Sequence, residues 1–147
     1  MRDRVERERV RPAAAARYHF KLGYGSLADI QFAVELALMR HGHRHAEIRS
    51  TSTLDAVERL ACARLLEDAV AFELAEAFVY LSDVKNALEV DRRVHAEALP
   101  PSADDLTVLA RRLGYEEYPA QALLEDYRRV TRRARRAMER VFFESTE

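Results

Sequence analysis

Apolar residues recur at three- and four-residue steps in five segments of the chain, which is the spacing of amphipathic helices. The predicted segments run from Ser26 to Gly42, from Ser52 to Ala61, over 67–95, from Ser102 to Leu113, and over 119–143. Short polar connections join them, and no internal repeat is visible. The pattern predicts an all-α fold, an antiparallel bundle of about five helices with one long central helix (67–95) and a long C-terminal helix (119–143).

Serine followed by aspartate three positions later precedes three of these segments. In such a capping box, each side chain satisfies an amide that the helix start leaves unpaired. Gly114 and Pro119 suit a helix end and the first turn of the next helix. Before the first helix, the alternation in Tyr18–Leu22 predicts a short extended piece, and Gly23-Tyr24-Gly25 predicts a turn.

The chain of 147 residues is long enough for one domain with a core of its own. Residues 1–17 form a charged lead-in or linker, so 18–147 is predicted to be a single helical-bundle domain. Hydrophobic residues make up 48% of the chain, and charged residues 33%. No apolar run approaches membrane-spanning length, and a single cysteine suits a reducing compartment. We therefore expect a soluble, cytoplasmic protein that binds no membrane.

The diglycine turn, Gly23–Gly25, precedes a helix start, and helix starts can present unpaired amides to a phosphate. Lys21 adds a positive charge beside it. A dinucleotide fingerprint would need a third glycine and a preceding strand, and the sequence has neither. The turn alone is a weak phosphate signal.

Other groupings of reactive side chains favour structural roles. His41, His43 and His45 have a metal-like spacing, but Gly42 interrupts the helix, and no cysteine or carboxylate completes a ligand set. A solvated loop explains them better, so no metal site is expected. Cys62 lies in an apolar stretch and is interpreted as a small buried hydrophobe. The sequence thus predicts no catalytic residue in this chain.

The last predicted helix carries seven arginines. They could dock an acidic partner, with Arg128, Arg132, Arg133 and Arg136 as the candidate contacts. Binding of nucleic acid is disfavoured, because no aromatic stacking platform or groove-binding motif accompanies them. A solvated face, or one packed against acidic helices of the same chain, is the alternative.

Several sequence blocks carry a resemblance to a known family. The string KLGYGSLADIQF at 21–32 resembles K-L-G-x-G-G-L-x-D-I-E-F, which opens the helical domain after the nucleotidyltransferase fold in glutamine synthetase adenylyltransferases. LMRHG at 38–42 and IRSTSTLDA at 48–56 are similar to L-x-L-R-H-G and L-R-T-x-S-T-L-x-A. LPP at 99–101 and YRRVTRRA at 127–134 resemble the ends of actinobacterial members. Ser26 and Gln31 depart from the pattern, although the related PII uridylyltransferase also has glutamine there.

The resemblance implies a helical accessory domain of a bifunctional enzyme that transfers AMP from ATP to glutamine synthetase and removes it. The G-S-x-G-R loop and acidic D-x-D pair of that family's catalytic domain do not occur in this sequence. ATP and Mg²⁺ would therefore belong to the parent enzyme, with no cofactor in this chain. The implied partners are the nucleotidyltransferase domain, glutamine synthetase and the PII signalling protein. The implied nucleotide- or cleft-facing residues are Lys21, Gly23, Gly25, Ser26 and Asp29.

Overall fold

The computed structural model describes residues 18–92 and 96–143, without the side chain of Arg92. The predicted lead-in, 1–17, and the last residues of the predicted central helix, 93–95, lie outside the described residues. The elements in chain order are α1 (Leu27–His41), a 3₁₀ turn (Ala46–Ile48), α2 (Thr53–Cys62), α3 (Asp68–Arg92), α4 (Ala103–Arg112) and α5 (Pro119–Phe143). The described residues contain no strand, and the predicted all-helical class is confirmed.

Three of the helices begin at the predicted serine caps. Ser26, Ser52 and Ser102 each accept a hydrogen bond from the backbone N–H three residues later, at 3.4–3.5 Å. Because each cap satisfies one of the donors that a helix start leaves unpaired, it fixes where the helix begins. Local chemistry therefore sets the starts of α1, α2 and α4.

Helix α3, the predicted central helix, contacts all four other helices, and the long C-terminal helix α5 packs against α1, α3 and α4. The buried residues of α5 recur at the three- and four-residue steps that the sequence predicts. They include Leu123, Tyr127, Val130, Ala134, Met138 and Val141. At the far end of the bundle, the guanidinium of Arg40 on α1 donates to the carbonyls of Val141 and Phe142, at 2.5 and 3.4 Å. Those two carbonyls lie in the last turn of α5, so Arg40 of α1 caps the end of α5.

Two local predictions are wrong. Tyr18–Leu22 is not extended but turns on itself, and the N–H of Gly23 donates to the carbonyl of His19 at 2.7 Å. Cys62 is exposed instead of buried. Helical spacing places it on the same face of α2 as Glu58 and Arg59, which are also exposed. Leu54, in the first turn of α2, is 38% exposed.

Helix α3 is buried along one side and carries apolar residues on the other. Phe72, Val79 and Val90 are 66%, 46% and 69% exposed. Over the described ranges, 18–92 and 96–143, no helix combines the length and apolar character needed to cross a membrane.

Candidate functional site

The segment before α1 folds back on the helix start and uses its amides. The N–H groups of Leu27 and Ala28 donate to the carbonyls of Phe20 and Lys21, at 2.9 and 3.0 Å. The N–H of Gly25 donates to the carboxylate of Asp29 at 2.7 Å. Because these amides are already engaged, the diglycine turn cannot offer them to a phosphate.

His19 and Glu97 stabilise the first residues of this segment. Nδ1 of His19 accepts from the N–H of Leu22 at 3.1 Å, and its Nε2 lies 3.7 Å from the carboxylate of Glu97. The ammonium of Lys21 also pairs with Glu97, at 3.0 Å. Burial lowers the pKa of the His19 imidazole, although Glu97 acts in the opposite direction. A neutral His19 is therefore part of the folded turn.

The diglycine turn lies directly on the backbone of α5. Gly25 has φ +62°, and a Cβ on it would lie 1.9 Å from the carbonyl oxygen of Thr131. Only glycine permits this approach together with this backbone conformation. Gly25 therefore fixes the turn against the arginine-bearing helix.

A buried ion pair joins the same two elements. Asp29 is 1% exposed, and its carboxylate lies 3.6 Å from Nη1 of Arg135 on α5. The guanidinium of Arg135 also lies 5.3 Å from the ring centroid of Tyr24 and pairs with Glu139 at 2.8 Å. The Asp29 carboxylate reaches Gly25 instead of completing the predicted capping box at Ser26. It thereby links the turn to α5.

Arg128 lies one helical turn before Arg132 and contacts another tyrosine. Its Nη2 donates to the phenol oxygen of Tyr18 at 2.6 Å, and its guanidinium lies 5.7 Å from the centre of that ring. Its Nε is buried and has no hydrogen-bond acceptor among the residues that the structure describes. A neutral phenol does not neutralise the charge, so Arg128 keeps its positive charge at the surface of the turn.

The arginines of α5 fall into two rows. One row faces α3 and is largely paired, since Arg129 lies 3.1 Å from Asp126, Arg133 lies 4.0 Å from Glu76, and Arg140 pairs with Glu67. All three arginines are exposed, and only Glu76 lies on another helix, since Asp126 is on α5 itself and Glu67 precedes α3. The other row faces the diglycine turn and consists of Arg128, Arg132 and Arg135.

The second row and the turn enclose a shallow groove. We call it the basic groove and define it by Tyr24, Arg128, Thr131, Arg132 and Arg135, which line a cavity of about 230 Å³. Arg132 is exposed and has no ion pair with any described residue, as is also true of Arg136 beside the groove. The arrangement can attract an anion, and none of its five lining residues is a histidine, cysteine, lysine or carboxylate.

The structure brings together two sets of residues that the sequence treated separately. Among the predicted cleft-facing residues, Lys21 is exposed, whereas Gly23, Gly25, Ser26 and Asp29 are buried beneath the surface of the turn. Among the predicted docking residues, Arg128 and Arg132 line the groove, Arg136 is exposed outside its lining, and Arg133 belongs to the row that faces α3. Sequence reasoning missed Tyr24, Thr131 and Arg135. The common face of Arg128, Arg132 and Arg135 on a helix was the available signal.

The histidines of the predicted loop do not converge. His45 contacts Glu47 at 3.0 Å, while burial and the surrounding cationic groups lower the pKa of His41. Throughout 18–92 and 96–143, no three histidine, cysteine or carboxylate side chains are grouped so as to hold a metal ion.

A second cavity, of about 240 Å³, lies between α3 and α5. The phenol of Tyr115 donates to Asp126 at 2.7 Å, and the phenol oxygen of Tyr80 lies 3.4 Å from that of Tyr115. Burial raises the pKa of both phenols, most strongly that of Tyr80. These contacts are internal to the bundle and stabilise the packing of α3 on α5.

The fold and the groove define an all-α domain in which a diglycine turn is fixed to an arginine-rich helix. The chain belongs to the family described as GlnD PII-uridylyltransferase, whose sequence profile matches residues 1–142.

Curated relatives carry the name "bifunctional glutamine synthetase adenylyltransferase/adenylyl-removing enzyme". Those of Corynebacterium efficiens, Streptomyces coelicolor and Mycobacterium leprae are 36%, 34% and 35% identical to this chain over 143, 143 and 142 residues. Each alignment covers 97% of this chain but only 14% of the relative's length. The resemblance found in the sequence blocks is thereby confirmed, and the chain spans a small part of those proteins.

Proposed function

We propose that this chain is a helical accessory domain of a bifunctional enzyme that adenylylates and deadenylylates glutamine synthetase in nitrogen regulation. The observation that carries this proposal is the alignment of 97% of the chain with one segment of those named relatives. In this proposal the chain packs on a nucleotidyltransferase domain. ATP and Mg²⁺ bind in that domain, and glutamine synthetase is the protein substrate. The cytoplasm is the proposed compartment, which suits an exposed cysteine that has no disulfide partner.

The diglycine turn is the proposed contact with the catalytic cleft. Its exposed groups are the ammonium of Lys21 and the ring of Tyr24, which is 55% exposed. The buried residues of the turn hold these groups against α5. They are Gly23, Gly25, Ser26 and Asp29. The chain itself is proposed to have no catalytic activity, since the lining of the groove has no histidine, cysteine, lysine or carboxylate.

A chimera tests this function directly. The matched segment of the Corynebacterium efficiens enzyme would be replaced by this chain, and AMP transfer to glutamine synthetase and AMP removal would be measured with ATP, Mg²⁺ and phosphate. We expect the chimera to keep both activities and the same enzyme without the segment to lose them. The isolated chain is expected to be inactive in both directions. A chimera that folds but matches the deletion would contradict the proposal, as would AMP transfer by the isolated chain.

A second candidate function is docking of an acidic regulatory protein, such as the PII protein, through α5. The observation that favours it is the exposure of Arg132 and Arg136 without an ion pair in the described part of the chain, with Arg133 only loosely paired to Glu76. Arg128 would extend the same surface. Unpaired surface arginines can steer an acidic partner in a salt-dependent manner.

Calorimetric titration with the PII protein and with glutamine synthetase, at low and high salt, tests the docking function. The double variant Arg132→Glu/Arg133→Glu should abolish the binding. A charge-matched control is Arg44→Glu/Arg111→Glu, which changes exposed arginines on the loop after α1 and on α4. Binding that survives in the first variant, or that both variants lose equally, would count against a site on α5.

A further inference from the structure

The basic groove contains more positive charge than its own residues neutralise. Arg135 faces both Asp29 and Glu139, so its charge is compensated within the chain. Arg128 has only the neutral phenol of Tyr18. Arg132 makes no ion pair or hydrogen bond with any residue in 18–92 or 96–143. Two of the three guanidinium groups around the groove therefore lack a counter-charge there.

The size of the groove favours a small anion over a folded partner. Its open cavity of about 230 Å³ is lined by side chains of one helix face and one turn, which suits a compact group. Guanidinium is a planar fork of N–H donors that suits the oxygens of phosphate, and each such charge-assisted hydrogen bond is stronger than a neutral one. A lone carboxylate offers one negative charge and two oxygens, whereas a phosphate chain matches both Arg128 and Arg132.

The groove is also fixed in shape before any ligand arrives. Gly25 sits on the carbonyl of Thr131, and the pair of Asp29 with Arg135 holds the turn and α5 at one separation. A site that does not need to be ordered on binding loses less free energy than a flexible one. The orphaned Nε of Arg128 also lacks an acceptor within the described residues, which a bound oxyanion could supply after a small rotation of the guanidinium.

From these observations we propose that the basic groove binds the phosphate chain of a small ligand, with Arg128 and Arg132 as its principal contacts. Inorganic diphosphate and the phosphates of a nucleotide are two sources of this chemistry. The proposal goes beyond the proposed function because it concerns binding by this chain alone. It can therefore be tested without a catalytic domain.

Calorimetric titration of the whole 147-residue chain with inorganic diphosphate, ATP and adenosine provides the test. We expect diphosphate and ATP to bind and adenosine alone not to bind. Arg132→Gln should weaken binding of diphosphate by about tenfold or more, because one charge-assisted contact is lost. Equal affinities for diphosphate and ATP would assign the binding to the phosphates alone. Tighter binding of ATP would add a contact of the nucleoside with the exposed ring of Tyr24.

The matched control is Arg111→Gln, which removes an exposed arginine on α4 outside the groove. It should leave the affinity for diphosphate unchanged. Amide chemical shifts of Thr131 and Arg132 should move on titration with diphosphate, which locates the ligand. The proposal is overturned by absence of binding at about 1 mM diphosphate. It is also overturned by equal weakening in the two variants, or by an acidic peptide that binds α5 without competition from diphosphate.

Discussion

Gly25 and Thr131 are in backbone contact, so the turn before the first helix rests directly on the last helix. A Cβ at position 25 would lie 1.9, 2.6 and 2.9 Å from the carbonyl oxygen, carbonyl carbon and Cα of Thr131. These are main-chain atoms of α5, and they cannot rotate away as a side chain can. The position of the groove relative to the turn therefore depends on one glycine.

Gly25→Ala should destabilise the fold strongly. The backbone at φ +62° would cost a residue with a Cβ about 1–2 kcal/mol, and the clash with α5 adds to that cost. We expect a loss of at least about 3 kcal/mol in the free energy of unfolding, measured by urea denaturation.

Gly114→Ala is the matched control for this substitution. Gly114 has φ +95°, but no atom lies within 4 Å of an added Cβ. It should cost only the backbone strain, about 1–2 kcal/mol. If the two variants lose equal stability, the close approach of the turn to α5 is not what makes Gly25 necessary.

Asp29 and Arg135 should be energetically coupled. Removal of either partner should cost stability, because the Asp29 side chain is 2% exposed and that of Arg135 is 27% exposed, so water screens their attraction only weakly. A double-mutant cycle with Asp29→Asn and Arg135→Gln should give a coupling free energy of about 1–2 kcal/mol. Unfolding of the four proteins in urea measures it.

The pair of Arg64 with Asp68 is the control for that cycle. Their side chains are 81% and 75% exposed, at a distance of 3.3 Å. Arg64 lies in the turn before α3, and exposed pairs of this kind contribute less than about 1 kcal/mol. A coupling of Asp29 with Arg135 no larger than this would mean that the ion pair does not hold the turn on α5.

The stability of the chain should fall on mild acidification because of His19. Burial lowers the pKa of its imidazole in the folded state below the usual 6.5. The unfolded state therefore binds the proton first, so the contribution is complete above pH 6.5 and is lost as the pH falls through the folded pKa. Protonation also removes the acceptor at Nδ1 for the N–H of Leu22.

The pH dependence of the urea midpoint, with wild type compared to His19→Asn, measures this effect. The variant should be less stable near neutrality and should lose less stability on acidification. His43→Asn, on the exposed loop after α1, provides the control and should leave the wild-type slope in place. An unchanged slope in His19→Asn would show that other groups cause the acid sensitivity.

The bounds of the helices could be predicted from local chemistry, because capping serines, glycines and prolines act within a few residues. Ser26, Ser52 and Ser102 cap α1, α2 and α4, and α5 begins at Pro119 as predicted. The exposed Cys62 was missed, because apolar neighbours in sequence do not show which face of the helix a residue occupies; it shares the exposed face of Glu58 and Arg59. The turn at Tyr18–Leu22 was missed because its hydrogen bonds override an alternating pattern.

The basic groove could not be predicted as one site. Gly25 and Thr131 are distant in sequence, and only the packing of α5 against the turn brings them together. Periodicity does assign Arg128, Arg132 and Arg135 to one face, and Arg129, Arg133 and Arg140 to another. Periodicity does not reveal that Asp126, Glu76 and Glu67 form ion pairs with the arginines of the second face. The charge that remains free for a ligand is therefore a tertiary property.

One buried and one partly buried phenol should make the fold sensitive to alkali. Burial raises the pKa of Tyr80 and of Tyr127 above the ordinary value of 10.0. The unfolded chain therefore ionises first, so stability is full below about pH 10 and falls as the pH rises toward the folded values. Tyr80→Phe should reduce the slope of the urea midpoint against pH in this range. Near neutrality it should cost only about 0.5–1 kcal/mol, because both contacts of its hydroxyl are long, at 3.4 Å. Tyr118→Phe, which alters a 79% exposed side chain, is the control. Equal slopes of the urea midpoint in the two variants would show that the phenol of Tyr80 does not cause the alkaline loss.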